Sequence, residues 1–295
     1  MFGAFFVLLV ALHINDAQCS TPHDRGFNFG PGPAALPVEV LERASKSLLN
    51  FAGTGIGIME YTNLDDRASP PHSGVAVTPL QQMMLDSEQK LRSTLDIPES
   101  YRVLFMAGGA VGHFGAVPMN FLGGDGMCAD YLDQGFWSQK SFNEAKKYGD
   151  VAAIAKHDGN SIPQWSEWAK ATRPCAAYLH AVLSETVTGV EFLQDPPADW
   201  SGPPIVLDAT STLLSRPVDV SRYGMIYASG GKNFAHGVTI IIIRDELLRS
   251  TTKMSITPAI FDYRSHAGAL GSQFESRPNT PPIWGVYLLV RSACC

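Results

Sequence analysis

Short runs of β-forming apolar residues recur at 103–106, 127–132, 177–182, 204–207, 225–228 and 238–243. Helix-like stretches at 137–148 and 162–171 separate several of them. The runs are apolar nearly throughout rather than at alternate positions, so both faces of each strand have to be covered. Strand–helix alternation of this kind predicts an α/β fold, a mostly parallel sheet with helices on both faces. Upstream, 37–49 reads as an amphipathic helix, with Val38, Val40, Leu41, Leu48 and Leu49 as its apolar positions and Pro37 near its start. A second helix is expected over 80–95, ending before Ile97-Pro98. At the far end, 283–291 opens a helix that Ser292-Ala293-Cys294-Cys295 stops without a capping glycine, as expected of a shortened chain.

A chain of 295 residues, 45% hydrophobic and 17% charged, can bury a substantial core. Its net charge of -6 gives no electrostatic case for nucleic acid or an anionic membrane as partner. Five cysteines, at 19, 128, 175, 294 and 295, show no metal-ligand spacing, and the expectation is reduced, mostly buried thiols without a bound metal. The apolar run 5–12 is too short to span a bilayer and is followed by Ala17-Gln18-Cys19, so residues 1–19 are expected to be a secretory signal peptide. The basic start of such a leader is missing from Met1-Phe2-Gly3-Ala4. Residues 20–291 are expected to form one major domain.

Polar residues cluster just past the predicted strands. Lys232 follows the strand 225–228 in Ser229-Gly230-Gly231-Lys232, where glycines allow a ligand to approach closely. A partly desolvated lysine there can condense with a cofactor aldehyde. Taken alone, a surface turn lysine is the commoner reading. Asp208 closes the run 204–207, where a carboxylate suits a pyridinium nitrogen, although an isolated aspartate more often caps a helix. The spacing of Asp208 and Lys232 by one strand–helix–strand unit favours the first role. Gly108-Gly109-Ala110-Val111-Gly112-His113 is a glycine-rich strand-to-helix turn that offers N–H groups to a phosphate. Close helix–sheet packing explains the same glycines equally well. Trp137 stands where an aromatic ring can stack on a flat ligand, and Thr186, Asn279 and Thr280 are polar groups at turns.

Three longer segments carry a resemblance: 28–37, beginning Asn28-Phe29-Gly30-Pro31-Gly32-Pro33; Ser215-Arg216-Pro217-Val218-Asp219-Val220-Ser221-Arg222-Tyr223-Gly224; and Asn279-Thr280-Pro281-Pro282. With them the chain from about residue 27 to 290 resembles the phosphoserine aminotransferases. That resemblance implies a fold-type I, pyridoxal 5′-phosphate-dependent transaminase. It moves an amino group between L-glutamate and 3-phosphohydroxypyruvate, in serine biosynthesis. It implies Lys232 as the cofactor lysine, Asp208 as partner of the ring nitrogen, Trp137 as the stacking ring and Thr186 beside the phenolic oxygen. Ala110 and Val111 fall in the phosphate-contacting turn. Asn279 and Thr280 match a pair that reaches the phosphate of the neighbouring subunit, which implies a homodimer with shared sites.

The departures are specific. Val111 stands where the family has arginine, and Gly231 where it has glutamine. The substrate-gripping Ser-His-Arg reads Thr62-Asn63-Leu64 here, followed by an insertion through Ser73 in which Arg67 is the substitute arginine. The family's C-terminal small domain, on the order of ~100 residues, has no counterpart. The resemblance implies cytoplasm or plastid, and the leader implies the secretory pathway. A catalytically impaired cofactor-binding or interaction protein is the alternative function. An alanine–glyoxylate-type transaminase or a lyase fits the Ser-Arg-Pro-Val-Asp segment less well.

Overall fold

The apolar runs become the strands of one sheet. In the computed structural model these are β1 (Tyr101–Met106), β2 (Cys128–Asp133), β3 (Asp150–Lys156), β4 (Ala176–Val182), β5 (Ile205–Asp208), β6 (Met225–Ser229) and β7 (Thr239–Arg244). Their order is β1-β7-β6-β5-β4-β2-β3. β7 runs antiparallel to both β1 and β6, and the remaining neighbours pair in parallel. The structure describes residues 23, 25–26, 32–61, 78–156, 165–268 and 278–292. The leader and the 62–73 segment with Arg67 lie outside them. The described residues from 32 onward form one compact unit.

Parallel neighbours need crossovers long enough to return the chain. α4 (Phe136–Ala145) joins β2 to its parallel neighbour β3, while α3 (Gly109–Phe121) leads from β1 to β2 and α5 (Trp165–Ala171) from β3 to β4. α1 (Val38–Leu49), α2 (Pro79–Thr94), α8 (Ile283–Ser292) and Trp165 and Trp168 of α5 join a core on the face opposite α3. That face buries Val103, Leu179, Leu207, Ile226, Ile240 and Ile242. The α3 side buries Leu104, Tyr131, Tyr178, Val206, Tyr227 and Ile241. Short helices α6 (Asp245–Ser250) and α7 (Tyr263–His266) follow β7. α2 starts on a capping box: the Thr78 hydroxyl accepts from the Gln81 N–H at 3.1 Å, Gln81 Oε1 accepts from the Thr78 N–H at 2.9 Å, and Pro79 takes the first helical position.

Two elements escape the periodicity. β3 is alanine-rich and only partly buried at the sheet edge, so neither propensity nor alternation marks it. α3 is buried from His113 to Phe121 and carries Pro118 inside, so it shows no polar stripe.

The expectation of reduced thiols is corrected. Cys128 and Cys175 form a disulfide, 47 residues apart in sequence. The parallel pairing of β2 with β4 brings the starts of the two strands together, with the Cys128 N–H bonded to the Cys175 carbonyl at 3.0 Å. A long-range strand neighbour is not visible in cysteine spacing. Beside it, Arg173 donates to fully buried Asp130 through Nε at 2.6 Å and its backbone N–H at 2.7 Å. Closing so long a loop restricts the unfolded chain, so Cys175→Ser is expected to cost about 2–4 kcal/mol. Urea unfolding with and without reductant checks this: wild type should lose the same amount on reduction and the variant nothing.

Candidate active site at the carboxyl ends of the strands

The chain leaves β6 at Ser229 and reverses through 230–238 into β7. The Gly230 N–H bonds the Val238 carbonyl and the Gly231 N–H the Phe234 carbonyl, both at 2.8 Å. Gly231 has φ +120°, and a Cβ there would stand 2.5 Å from Cε1 of the His236 ring. Glycine is therefore required by this turn, and a glutamine would need a different one. Lys232 Nζ donates to Thr186 Oγ1 at 2.5 Å and to Ser211 Oγ at 2.7 Å, and the two hydroxyls lie 2.6 Å apart. Burial lowers the Lys232 pKa below its ordinary 10.5, against the opposing pull of Asp208 and Glu185. A half-buried amine of this kind loses its proton more readily, as a nucleophilic lysine must.

Asp208 is the last residue of β5 and is buried. Its Oδ1 accepts from the Thr210 N–H at 3.0 Å, and Thr210 Oγ1 accepts from the Ser229 N–H at 3.2 Å, which ties the ends of β5 and β6 together. Burial raises the carboxyl pKa above 3.8, opposed by hydrogen bonds from Thr210, by the Lys232 charge and by a hydrogen bond from Tyr227.

The first turn of α3 lies beside the same strand end: a Cβ on Gly109 would stand 3.4 Å from Ser229 Oγ. Gly108 enters the helix at φ +106°, with the Phe261 ring 2.8 Å from where its Cβ would be. Gly112 makes the first bond of the helix, to the Gly108 carbonyl at 3.0 Å. The N–H groups of Gly109, Ala110 and Val111 precede it at the positive end of the helix, an arrangement suited to a phosphate. The Val111 side chain is exposed and adds no charge. Trp137, in the first turn of α4, donates its N–H to Glu185 Oε2 at 2.9 Å, and Glu185 Oε1 accepts from the Val187 N–H at 3.2 Å. One fully buried carboxylate thus fixes Trp137 relative to the turn that carries Thr186.

The structure therefore gathers Lys232, Gly231, Asp208, Thr186, Trp137 and the Ala110–Val111 turn at the carboxyl ends of β1, β2, β4, β5 and β6, where open α/β sheets bind ligands. Asn279 and Thr280 lie elsewhere, in the segment entering α8. There the Asn279 amide donates to the Thr280 carbonyl at 2.9 Å, and Thr280 lines a cavity of about 310 Å³ with Tyr61, His236 and Pro281. Ser211, Thr210 and Glu185 were not read from the sequence as site residues. The hydroxyl-rich Ala209-Thr210-Ser211 directly after Asp208 is the signal for the first two. Among the described residues, metal-ligand types converge at Cys128, Asp150 and Cys175, at the opposite ends of the strands, where both thiols are engaged in the disulfide.

A half-buried lysine and a buried carboxylate at these strand ends suit an aminotransferase-type protein, and residues 26–293 match the family model described as aminotransferase class-V. A phosphoserine aminotransferase of Laribacter hongkongensis is 41% identical over 266 residues, covering 89% of this chain and 67% of that protein. A crystal structure of the pyridoxal-phosphate-bound phosphoserine aminotransferase of Trichomonas vaginalis superposes with a TM-score of 0.76 at 30% identity, covering 92% of this chain and 74% of that one. Another, describing radiation damage of the Schiff base in phosphoserine aminotransferase, gives 0.77 at 33% identity, covering 92% and 69%. The chain belongs to the phosphoserine aminotransferase family.

Proposed function

We propose that the residues around Lys232 bind pyridoxal 5′-phosphate and transfer the amino group of L-glutamate to 3-phosphohydroxypyruvate, releasing 2-oxoglutarate and O-phospho-L-serine. The observation that carries this reading is the Lys232 amine itself, half-buried, held by two hydroxyls and sharing its strand edge with a buried carboxylate. The donor set fits the cofactor: an amine for its aldehyde, Asp208 for its ring nitrogen, Trp137 for its flat face and the α3 N–H groups for its phosphate. When bound, the cofactor supplies an electron sink for the pair left at the substrate's α-carbon.

The chain's own residues do the rest. With the cofactor bound, Lys232 Nζ would be the base that moves the substrate's α-proton, a role its lowered pKa suits. Thr186 and Ser211 hold that nitrogen in place, and Asp208 keeps the ring nitrogen's proton in place. Backbone N–H groups replace the charge that Val111 does not supply. Asn279 and Thr280 belong to the neighbouring subunit's phosphate site, which requires a homodimer. Thr280 is exposed, as a residue shared with a second copy has to be in one chain alone.

The test is an assay of the chain with pyridoxal phosphate, glutamate and 3-phosphohydroxypyruvate, run beside light scattering. Release of 2-oxoglutarate from a dimer is expected. Cofactor uptake without turnover would replace this reading with that of a cofactor-binding protein, and a monomer with full activity would remove the shared site.

A further inference from the structure

Lys232 Nζ, Thr186 Oγ1 and Ser211 Oγ form a closed triangle with sides of 2.5, 2.7 and 2.6 Å. A neutral amine has two protons and one lone pair, and each hydroxyl has one proton to give. The triangle is satisfied once round when Nζ donates to Thr186, Thr186 to Ser211, and Ser211 to the Nζ lone pair. An ammonium would donate to both oxygens and leave one hydroxyl proton with no acceptor inside the triangle. Burial already draws the lysine toward the neutral form. Ser211 Oγ and Nζ then stand at the separation of a nucleophile and its general base.

The backbone holds the two reactive groups together. Ser211 lies in a turn after β5 in which the Thr212 and Leu213 N–H groups both bond the Ala209 carbonyl, at 3.0 and 2.8 Å. Asn233, next to Lys232, donates its amide to the Leu213 carbonyl at 3.0 Å and to the Ser211 carbonyl at 3.4 Å, which pins the turn of the base to the turn of the hydroxyl. Leu214 leaves that turn at φ +70°, a costly conformation for a bulky side chain and one that recurs at functional sites. Ser211 is only partly buried and Thr186 is exposed, so a ligand reaches both from the cleft. The Ser211 N–H, at the open start of the turn, has no acceptor among the described residues. A nucleophile's own N–H is one of the donors that stabilise an acyl oxyanion.

We propose that Ser211 and Lys232 form a serine–lysine dyad that hydrolyses small carboxylic esters while Lys232 carries no cofactor. Ser211 Oγ bonds to the ester carbonyl carbon as its proton passes to Nζ, and the carbonyl electron pair moves onto oxygen. The pair returns, the bond to the alcohol oxygen breaks, and the proton on Nζ goes to the leaving alkoxide. Water then adds to the acyl-serine with Nζ again as base, which releases the carboxylic acid and restores the Ser211 proton. Serine–lysine pairs perform this chemistry on unrelated folds. The activity goes beyond amino transfer and does not depend on it, but the two share one nitrogen. A lysine bonded to the cofactor's aldehyde has no free amine to serve Ser211, so pyridoxal phosphate and ester exclude each other.

The experiment gives p-nitrophenyl acetate to the full chain freed of pyridoxal phosphate, follows nitrophenolate past one equivalent, and locates the acetyl group by mass spectrometry after an acid quench. Wild type should turn over repeatedly with the acetyl group on Ser211. Ser211→Ala and Lys232→Ala should each lower the steady rate about 10²-fold or more, the effect of losing the nucleophile or its base. Should either variant not fold, the acetyl position in wild type decides the matter. Titration with pyridoxal phosphate should suppress ester hydrolysis in step with the growth of the cofactor's absorbance band. Acetyl on Lys232 in place of Ser211, release that stops at one equivalent, a wild-type rate in folded Ser211→Ala, or undiminished hydrolysis in the cofactor-saturated chain would each overturn the dyad. A chain that hydrolyses the ester through Ser211 and takes up no cofactor would support the dyad and overturn the transaminase reading instead.

Discussion

Lys232→Ala is expected to abolish the visible absorbance band that wild type acquires with pyridoxal phosphate, and to lower turnover by at least roughly 10²–10⁴-fold, the range of a lost proton-transfer group. The side chain makes two short bonds, to Thr186 and Ser211. Asp208, Trp137 and the α3 N–H groups remain, so the variant should still bind the cofactor without a covalent link. Lys232→Arg keeps the charge but not the nucleophilic amine, and it should behave like alanine in the spectrum. A small exogenous amine should restore part of the turnover in Lys232→Ala. Persistence of the band in Lys232→Ala would move the cofactor to another residue and sink the assignment.

Asp208→Asn should separate stability from activity. The folded pKa of Asp208 is raised above 3.8, chiefly by burial. The folded apoprotein therefore binds this proton more tightly than the unfolded chain does. Stability from this group is present below 3.8 and is lost as pH rises through the raised folded value. Asparagine has no such loss and keeps an oxygen for the Thr210 N–H. Relative to the variant, the wild-type apoprotein should thus become less stable as pH climbs through that window, and the variant's apo Tm should be higher at neutral pH. Turnover should fall in the opposite sense, by about 10²–10³-fold, as when one preorganised electrostatic partner of the reacting system is removed. Unfolding curves of the two apoproteins across the acid range, beside steady-state rates, check both halves. Equal rates would remove Asp208 from the site.

The fold was legible wherever burial on both faces produced unbroken apolar runs. β7, with Ile240 to Ile243 fully buried, is the extreme case. Its direction was not legible, because an apolar run reads the same for either orientation and only the short 230–238 reversal marks an antiparallel neighbour. β3 was hidden by its alanines and α3 by its uniform burial. At the candidate site, Lys232, Asp208, Thr186, Trp137 and the Ala110–Val111 turn stand just past strands, a position the apolar runs mark in the sequence. The residues that hold them carry no such mark. Glu185 and Ser211 act through partners 48 and 21 positions away in sequence, and no local pattern encodes such a contact. The Cys128–Cys175 pair escaped for the same reason.

The reversal between β6 and β7 also bears on the order in which the molecule assembles. It joins the sheet neighbours closest in sequence, whereas β1 reaches β7 only across more than a hundred residues. Local pairings close the smallest loops and so cost the least chain entropy early in folding. The hairpin that carries Lys232 should accordingly form before the strands that complete the cleft around it, with its turn already pinned by the 230–238 and 231–234 backbone bonds. The lysine's place is then set by the chain alone, and the cofactor enters a socket that was finished without it.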